Sequence, residues 1–217
     1  MSPSLEMTIN RRRFQQLGIA TAAAIAIPGL NLAAAEGTPE ATPAPYVPAT
    51  PECGDGDEDE LTIMQSEGPY FTPNSPERTS LIEEGMTGDH FIVTGYVYST
   101  DCNPVAKALI DFWHCDDQGV YDNEGYRLRG HLFTDEEGLY RLETIKPGIY
   151  TGRTRHIHLK VQAPDGPVIT TQLYWPNEPE NERDGIYNPA LEMEIIEPES
   201  SDDPETGIYT FIVETGD

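Results

Sequence analysis

The chain has 217 residues, room for one folded domain and a leader or tail. Its 38 acidic residues against 13 basic ones give a formal net charge of −25. Such a surface repels nucleic acid and anionic lipid, so neither is expected as a partner.

Residues 1–35 read as an export signal. Asn10-Arg11-Arg12-Arg13-Phe14-Gln15-Gln16 sets a twin arginine before the apolar run Leu17 to Leu30. Ala33-Ala34-Ala35 then offers a small-residue cleavage site. The run is short for a bilayer span, which takes about 20 residues, so no stable span is expected after processing. The expected location is periplasmic, cell-surface or extracellular. Twin-arginine signals resemble those of proteins exported already folded, often with a cofactor in place.

Residues 36–60 are dominated by Thr, Pro, Ala, Asp and Glu. They hold too few large apolar side chains to offset ordering entropy and read as a flexible spacer. The run Asp55-Gly56-Asp57-Glu58-Asp59-Glu60 fails as an EF-hand: counted from Asp55, the glycine and glutamate positions hold Glu60 and Ser66.

From Leu61 to Asp217 the chain alternates short β-rich runs with turns. The runs are Phe91 to Ser99, Ala108 to Cys115, Leu132 to Thr134, Leu139 to Thr144, His156 to Gln162, Val168 to Trp175, Met193 to Ile196 and Ile208 to Val213. Asp135-Glu136-Glu137-Gly138 and Ala163-Pro164-Asp165-Gly166-Pro167 carry hairpin-turn chemistry. Short strands at this spacing predict an all-β fold, a single β-sandwich with long loops.

Cys53, Cys102 and Cys115 are the three cysteines, all candidates for a disulfide in an exported protein. If the runs near 91–100 and 108–115 form a hairpin, Cys102 lies by the turn and Cys115 at the far end. About seven residues of strand at roughly 3.3 Å each then part them, which favours Cys53 as a partner.

The richest stretch runs from Pro147 to His158: Pro-Gly-Ile-Tyr-Thr-Gly-Arg-Thr-Arg-His-Ile-His. On a strand, His156 and His158 share one face while Ile157, Leu159 and Val161 take the other. Two imidazoles side by side are a start on a metal site. A cupin would place a glutamate shortly after them, where Lys160-Val161-Gln162-Ala163 stands. No spacing ties His90, His114 or His131 to the pair, and His114 reads as a packed, hydrogen-bonded histidine. Tyr150, six residues before His156, and Tyr121, in the turn after Trp113, add phenol donors. Tyr126 is a rival for the second place.

At these residues the chain resembles the intradiol ring-cleavage dioxygenases, the family of protocatechuate and catechol dioxygenases. The resemblance is carried by Glu67-Gly68-Pro69-Tyr70, Cys102-Asn103-Pro104, Asp111-Phe112-Trp113, Gly119-Val120-Tyr121, Arg129-Gly130, Thr134 to Tyr140, Thr144 to Tyr150, Arg153 to His158 and Thr171-Gln172-Leu173-Tyr174. It covers roughly residues 65 to 175.

The resemblance implies a non-haem Fe(III) held by Tyr121, Tyr150, His156 and His158. Hard phenolate oxygens favour Fe(III) over Fe(II), and a bound cation lets phenols ionise at neutral pH. It implies a catechol-type diol and O2 as substrates, with both oxygen atoms inserted between the hydroxyl-bearing carbons. Tyr150 would take a substrate proton, and Arg153 and Gln172 would line the reacting ring. Tyr70 would wall the pocket. Arg153 has a plainer reading as a salt bridge, Gln172 as an edge-strand hydrogen bond, Tyr70 as packing. Catechol, a carboxylated catechol and hydroxyquinol all fit, and oligomeric state is open. The alternative from another class is a non-catalytic extracellular β-sandwich subunit.

Overall fold

Alternation of apolar and polar residues becomes two layers of strand in the computed structural model, which describes residues 60–198, 200 and 203–216. The expected signal and all of the expected spacer before Glu60 lie outside the described residues. Nine strands follow in order: β1 His90–Ser99, β2 Leu109–Trp113, β3 Arg129–Phe133, β4 Leu139–Ile145, β5 His156–Gln162, β6 Val168–Tyr174, β7 Glu194–Ile196, β8 Glu205–Ile208 and β9 Phe211–Val213. One sheet has the order β4-β1-β8-β7, with β9 also on β1; the other runs β3-β2-β5-β6. This is the β-sandwich expected from the sequence. Among the described residues no helix is long and apolar enough to cross a membrane.

Between the layers sit Val93, Val97, Ile110, Phe112, Leu142, Ile157, Leu159 and Val161, all at 0% exposure. Each large buried side chain of this kind contributes roughly 1.5–3 kcal/mol. Because Ile157, Leu159 and Val161 fill the core, period two turns His156 and His158 to the outer face of the four-stranded sheet.

Two expected pairings are corrected. β1 and β2 are not a hairpin: β1 pairs with β4, β8 and β9, while β2 pairs with β3 and β5. Nor are β3 and β4, although Asp135 N donates to Leu139 O (3.0 Å) and Gly138 N to Asp135 O (3.1 Å) as in a tight turn. The chain crosses between layers at both places. The β5–β6 hairpin is as expected, from His156 opposite Tyr174 to Gln162 opposite Val168.

The cysteines follow from this crossing. Cys102, after β1, is disulfide-bonded. Cys115, after β2 in the other layer, is a buried free thiol with Sγ 3.5 Å from Gly148 O, which removes it from the disulfide candidates. Cys53 lies outside the described residues.

Sheet edges are covered by straps. Arg78 N donates to His131 O and Leu81 N to Glu143 O, both at 2.8 Å, so residues 76–81 tie β3 to β4. On the other side Gln65 N donates to Thr170 O (2.8 Å) and Thr62 N to Ile212 O (3.0 Å). Paired edges of this kind do not template aggregation. Gly95 is required where the chain passes from β8 to β9: a Cβ there would lie 1.8 Å from Tyr209 O.

Candidate active site

Strand register builds the floor of the site. His158 on β5 stands between Trp113 on β2 and Gln172 on β6, and His156 stands opposite Tyr174. Loops cover this platform. In the turn after β2, Asp116 Oδ1 accepts from Gln118 N (3.0 Å) and Val120 N (2.9 Å). That turn docks on the 147–150 loop through Gly148 N to Asp116 O at 2.8 Å. Gly119 has φ +79°, and a Cβ on it would meet Ile149 O at 2.4 Å, so only glycine permits the docking. The consequence is that Tyr121 and Tyr150, far apart in sequence, stand edge to face with ring centres 5.7 Å apart.

The donor atoms converge. His156 Nδ1 lies 2.6 Å from Thr154 O, a pure acceptor, so Nδ1 carries the proton and Nε2 is a bare lone pair. Around that lone pair are His158 Nε2 at 3.1 Å, Tyr121 Oη at 3.2 Å and Arg153 NH1 at 3.5 Å. One lone pair cannot serve three donors. A cation held among them would relieve the crowding, with the phenol ionised and a lone pair of each imidazole turned to it. The 3.1–3.2 Å spacing of these atoms fits a donor set that would share one cation.

Electrostatics agree with that fit. Burial, helped by the neighbouring Arg153, lowers His156 to about 4. Burial, the His156 ring and Arg153 also hold His158 well below its ordinary value, so both rings are neutral at pH 7 and their lone pairs are available to a cation. Burial pushes the Tyr121 phenol above its ordinary value, so a phenolate forms there only beside a cation. Among the described residues the buried His158 Nδ1 has no hydrogen-bond partner. Its ring is held instead by Trp113, parallel within 6° at 5.1 Å. Among the described residues no three His, Cys, Asp or Glu side chains group as a metal site, so a metal here depends on the tyrosines.

Tyr70 joins the phenols. Its ring stacks on Tyr121 at 4.4 Å, and its Oη is 2.8 Å from Tyr150 Oη. Tyr126, the rival, is exposed and donates its hydroxyl to Pro73 O at 2.9 Å, away from this cluster. His114 is the packed histidine expected, with Nδ1 on Cys115 O and Nε2 on Thr144 Oγ1, both at 2.7 Å.

Arg153 is held at several points. Nε donates to Asp184 Oδ2 at 2.8 Å, and NH2 to Gln172 Oε1 at 2.7 Å and Tyr174 Oη at 3.4 Å. Gln172 is fully buried, and its Nε2 donates to Ser66 O at 2.9 Å. Tyr174 Oη in turn donates to Gln65 Oε1 at 2.6 Å. Asp184, Tyr174 and Gln65 are absent from the sequence-derived site. Tyr174 was open to the same period-two argument as the histidines, since it shares a β6 face with Gln172. Asp184 sits in a loop with no periodicity to flag it.

Against known proteins, the family model described as "Dioxygenase" matches residues 66–213. The chain belongs to the intradiol ring-cleavage dioxygenase family. The match extends well beyond residue 175 and takes in Asp184. Catechol 1,2-dioxygenase of Candida albicans is 29% identical over 157 residues, 59% of this chain and 51% of the relative. Hydroxyquinol 1,2-dioxygenase of Nocardioides simplex is 31% identical over 156 residues, 61% of this chain and 52% of the relative. The chain thus spans about half the length of these relatives. Among solved structures, the dioxygenase domain of a dioxygenase–carbohydrate-binding fusion from the cellulolytic bacterium Streptomyces sp. SirexAA-E is 46% identical. It aligns over 72% of this chain and 100% of its own, with a TM-score of 0.68.

Proposed function

We propose that the chain is a ferric-iron dioxygenase that opens a catechol-type ring between its two hydroxyl-bearing carbons, giving a muconate-type diacid from the diol and O2. The observation that carries this reading is the meeting of Tyr121 Oη, His156 Nε2 and His158 Nε2 at 3.1–3.2 Å, with Tyr150 alongside. Tyr121, Tyr150, His156 and His158 would hold the iron. Bound there, Fe(III) supplies a hard Lewis-acidic centre that draws electron density from a catecholate ring.

The chain's own groups do the rest. The Thr154 carbonyl fixes the His156 tautomer, and Trp113 fixes the plane of His158. Tyr150 Oη, half-buried at the site, is placed to take a substrate hydroxyl proton. Tyr70 Oη, 2.8 Å away, shares it. Among the described residues Arg153 NH1 meets no acceptor but His156 Nε2, so its positive edge is free to face the anionic ring. Gln172 spends both ends of its amide on the protein and acts by holding Arg153.

The named activities of the relatives, on catechol, chlorocatechol and hydroxyquinol, support a catechol-type substrate. The twin arginine at Arg11-Arg12 supports export through residues 1–35, with residues 36–60 as a spacer.

The test is oxygen uptake by iron-loaded protein on catechol, a carboxylated catechol and hydroxyquinol, with the product identified by mass. The expected result is one O2 consumed per ring and a diacid heavier by both oxygen atoms. No uptake on any of the three contradicts the reading and returns the chain to the non-catalytic class.

A further inference from the structure

We infer that Asp184 is the positioning residue for Arg153: it sets the guanidinium so that NH1 faces the reacting site. This rests on the reading of the site as a ring-cleaving centre.

The Asp184 side chain is 2% exposed and that of Arg153 19%. A carboxylate that merely neutralises an arginine is often met end-on by two guanidinium nitrogens. Here the contact is a single one, at Nε, 2.8 Å from Oδ2. It leaves both terminal nitrogens for other work. NH2 is taken by Gln172 Oε1 at 2.7 Å. Directional hydrogen bonds at Nε and NH2 restrain the rigid planar fork, and its third corner, NH1, lies 3.5 Å from His156 Nε2.

The same carboxylate also holds the main chain beside Arg153. Oδ2 accepts from Thr154 N at 2.9 Å and Oδ1 from Ile186 N at 3.1 Å. Burial alone would raise the Asp184 pKa, but these backbone bonds and Arg153 outweigh it and hold the group below its ordinary value. A second staple, Thr154 Oγ1 to Asn181 Oδ1 at 2.6 Å, fixes the 181–184 loop to the start of β5. Among the described residues no hydrogen bond joins residues 181–184 directly to Tyr70, Tyr121, Tyr150, His156 or His158. Asp184 reaches that cluster through Arg153.

The test is a double-mutant cycle on iron-loaded protein: Asp184→Asn and Arg153→Ala, singly and together, with kcat, KM and the visible iron–tyrosinate band measured for each. Asn keeps the size and one acceptor and loses the charge that fixes Nε. Asp184→Asn is expected to lower kcat about 10- to 100-fold with KM changed less than about threefold, the cost of a misaimed group. Its band should match the parent's. On the Arg153→Ala background, Asp184→Asn should change kcat by less than about twofold. Equal losses on both backgrounds, no loss on the parent, or loss of the band each overturn the inference. A parent protein that cleaves no catechol overturns the reading of the site and this inference with it, whereas the other failures leave ring cleavage standing.

Discussion

Trp113 and His158 face each other across paired strands as parallel rings 5.1 Å apart. The indole supplies the support that a hydrogen bond to His158 Nδ1 would otherwise give, since that atom has no partner among the described residues. Removing the indole therefore both opens the core of the site and frees the imidazole to turn. Trp113→Ala is expected to cost about 3–5 kcal/mol in urea unfolding and to weaken iron retention. Trp113→Phe, which keeps a stacking face, should cost markedly less. Equal losses for the two variants would show that the stacking is incidental.

The two tyrosines after β2 give a sharp contrast. Tyr121 points into the cluster and is 6% exposed, while Tyr126 is 37% exposed and bonded to Pro73 O. Tyr121→Phe should weaken or shift the visible band of the iron-loaded protein; Tyr126→Phe should leave it in place. The reverse result would exchange their roles.

Arg153 meets acceptors through Nε and NH2 in a planar fork that a lysine cannot reproduce. Arg153→Lys is expected to lower kcat by about 10²-fold while the substrate still binds, the loss typical of removing one aimed donor. Steady-state oxygen uptake checks this. A loss confined to KM would make Arg153 a binding group only.

His114 gives the metal-free protein an acid limb. It is 1% exposed, its desolvation outweighs its bond to Cys115 O, and its pKa falls to about 4. The unfolded chain takes up that proton near pH 6.5, the folded protein only near 4. Stability linked to this group is therefore complete above about pH 6.5 and is lost as pH falls towards 4, up to about 3 kcal/mol. Urea unfolding of His114→Gln across that range should show a flatter slope than the parent, whatever the absolute loss from the substitution. Parallel slopes would contradict the assignment.

The sequence exposes the parts of this molecule that are local. His156 and His158 share a face because strand period is two, and Ala163 to Pro167 closes β5 onto β6. What it hides is tertiary. Asp135 and Gly138 make the same local bonds whether the flanking strands stay in one sheet or part into two, so β3 and β4 read as a hairpin and are not one. Cys115 reads as a disulfide candidate and is a buried free thiol, because its layer is decided by the crossing after β1. Asp184 reaches Arg153 across 31 positions from a loop without periodicity. Nothing in its own neighbourhood announces that contact.

The site stands or falls on whether two tyrosines and two histidines hold ferric iron. The direct measurement is the visible spectrum of the purified protein with its native metal, alongside its iron content and the spectrum of Tyr121→Phe. A reddish-brown protein with one iron per chain, whose band weakens or shifts in Tyr121→Phe, is the expected result. A colourless protein that takes up iron without developing the band, or a band indifferent to the loss of both Tyr121 and Tyr150, would contradict it.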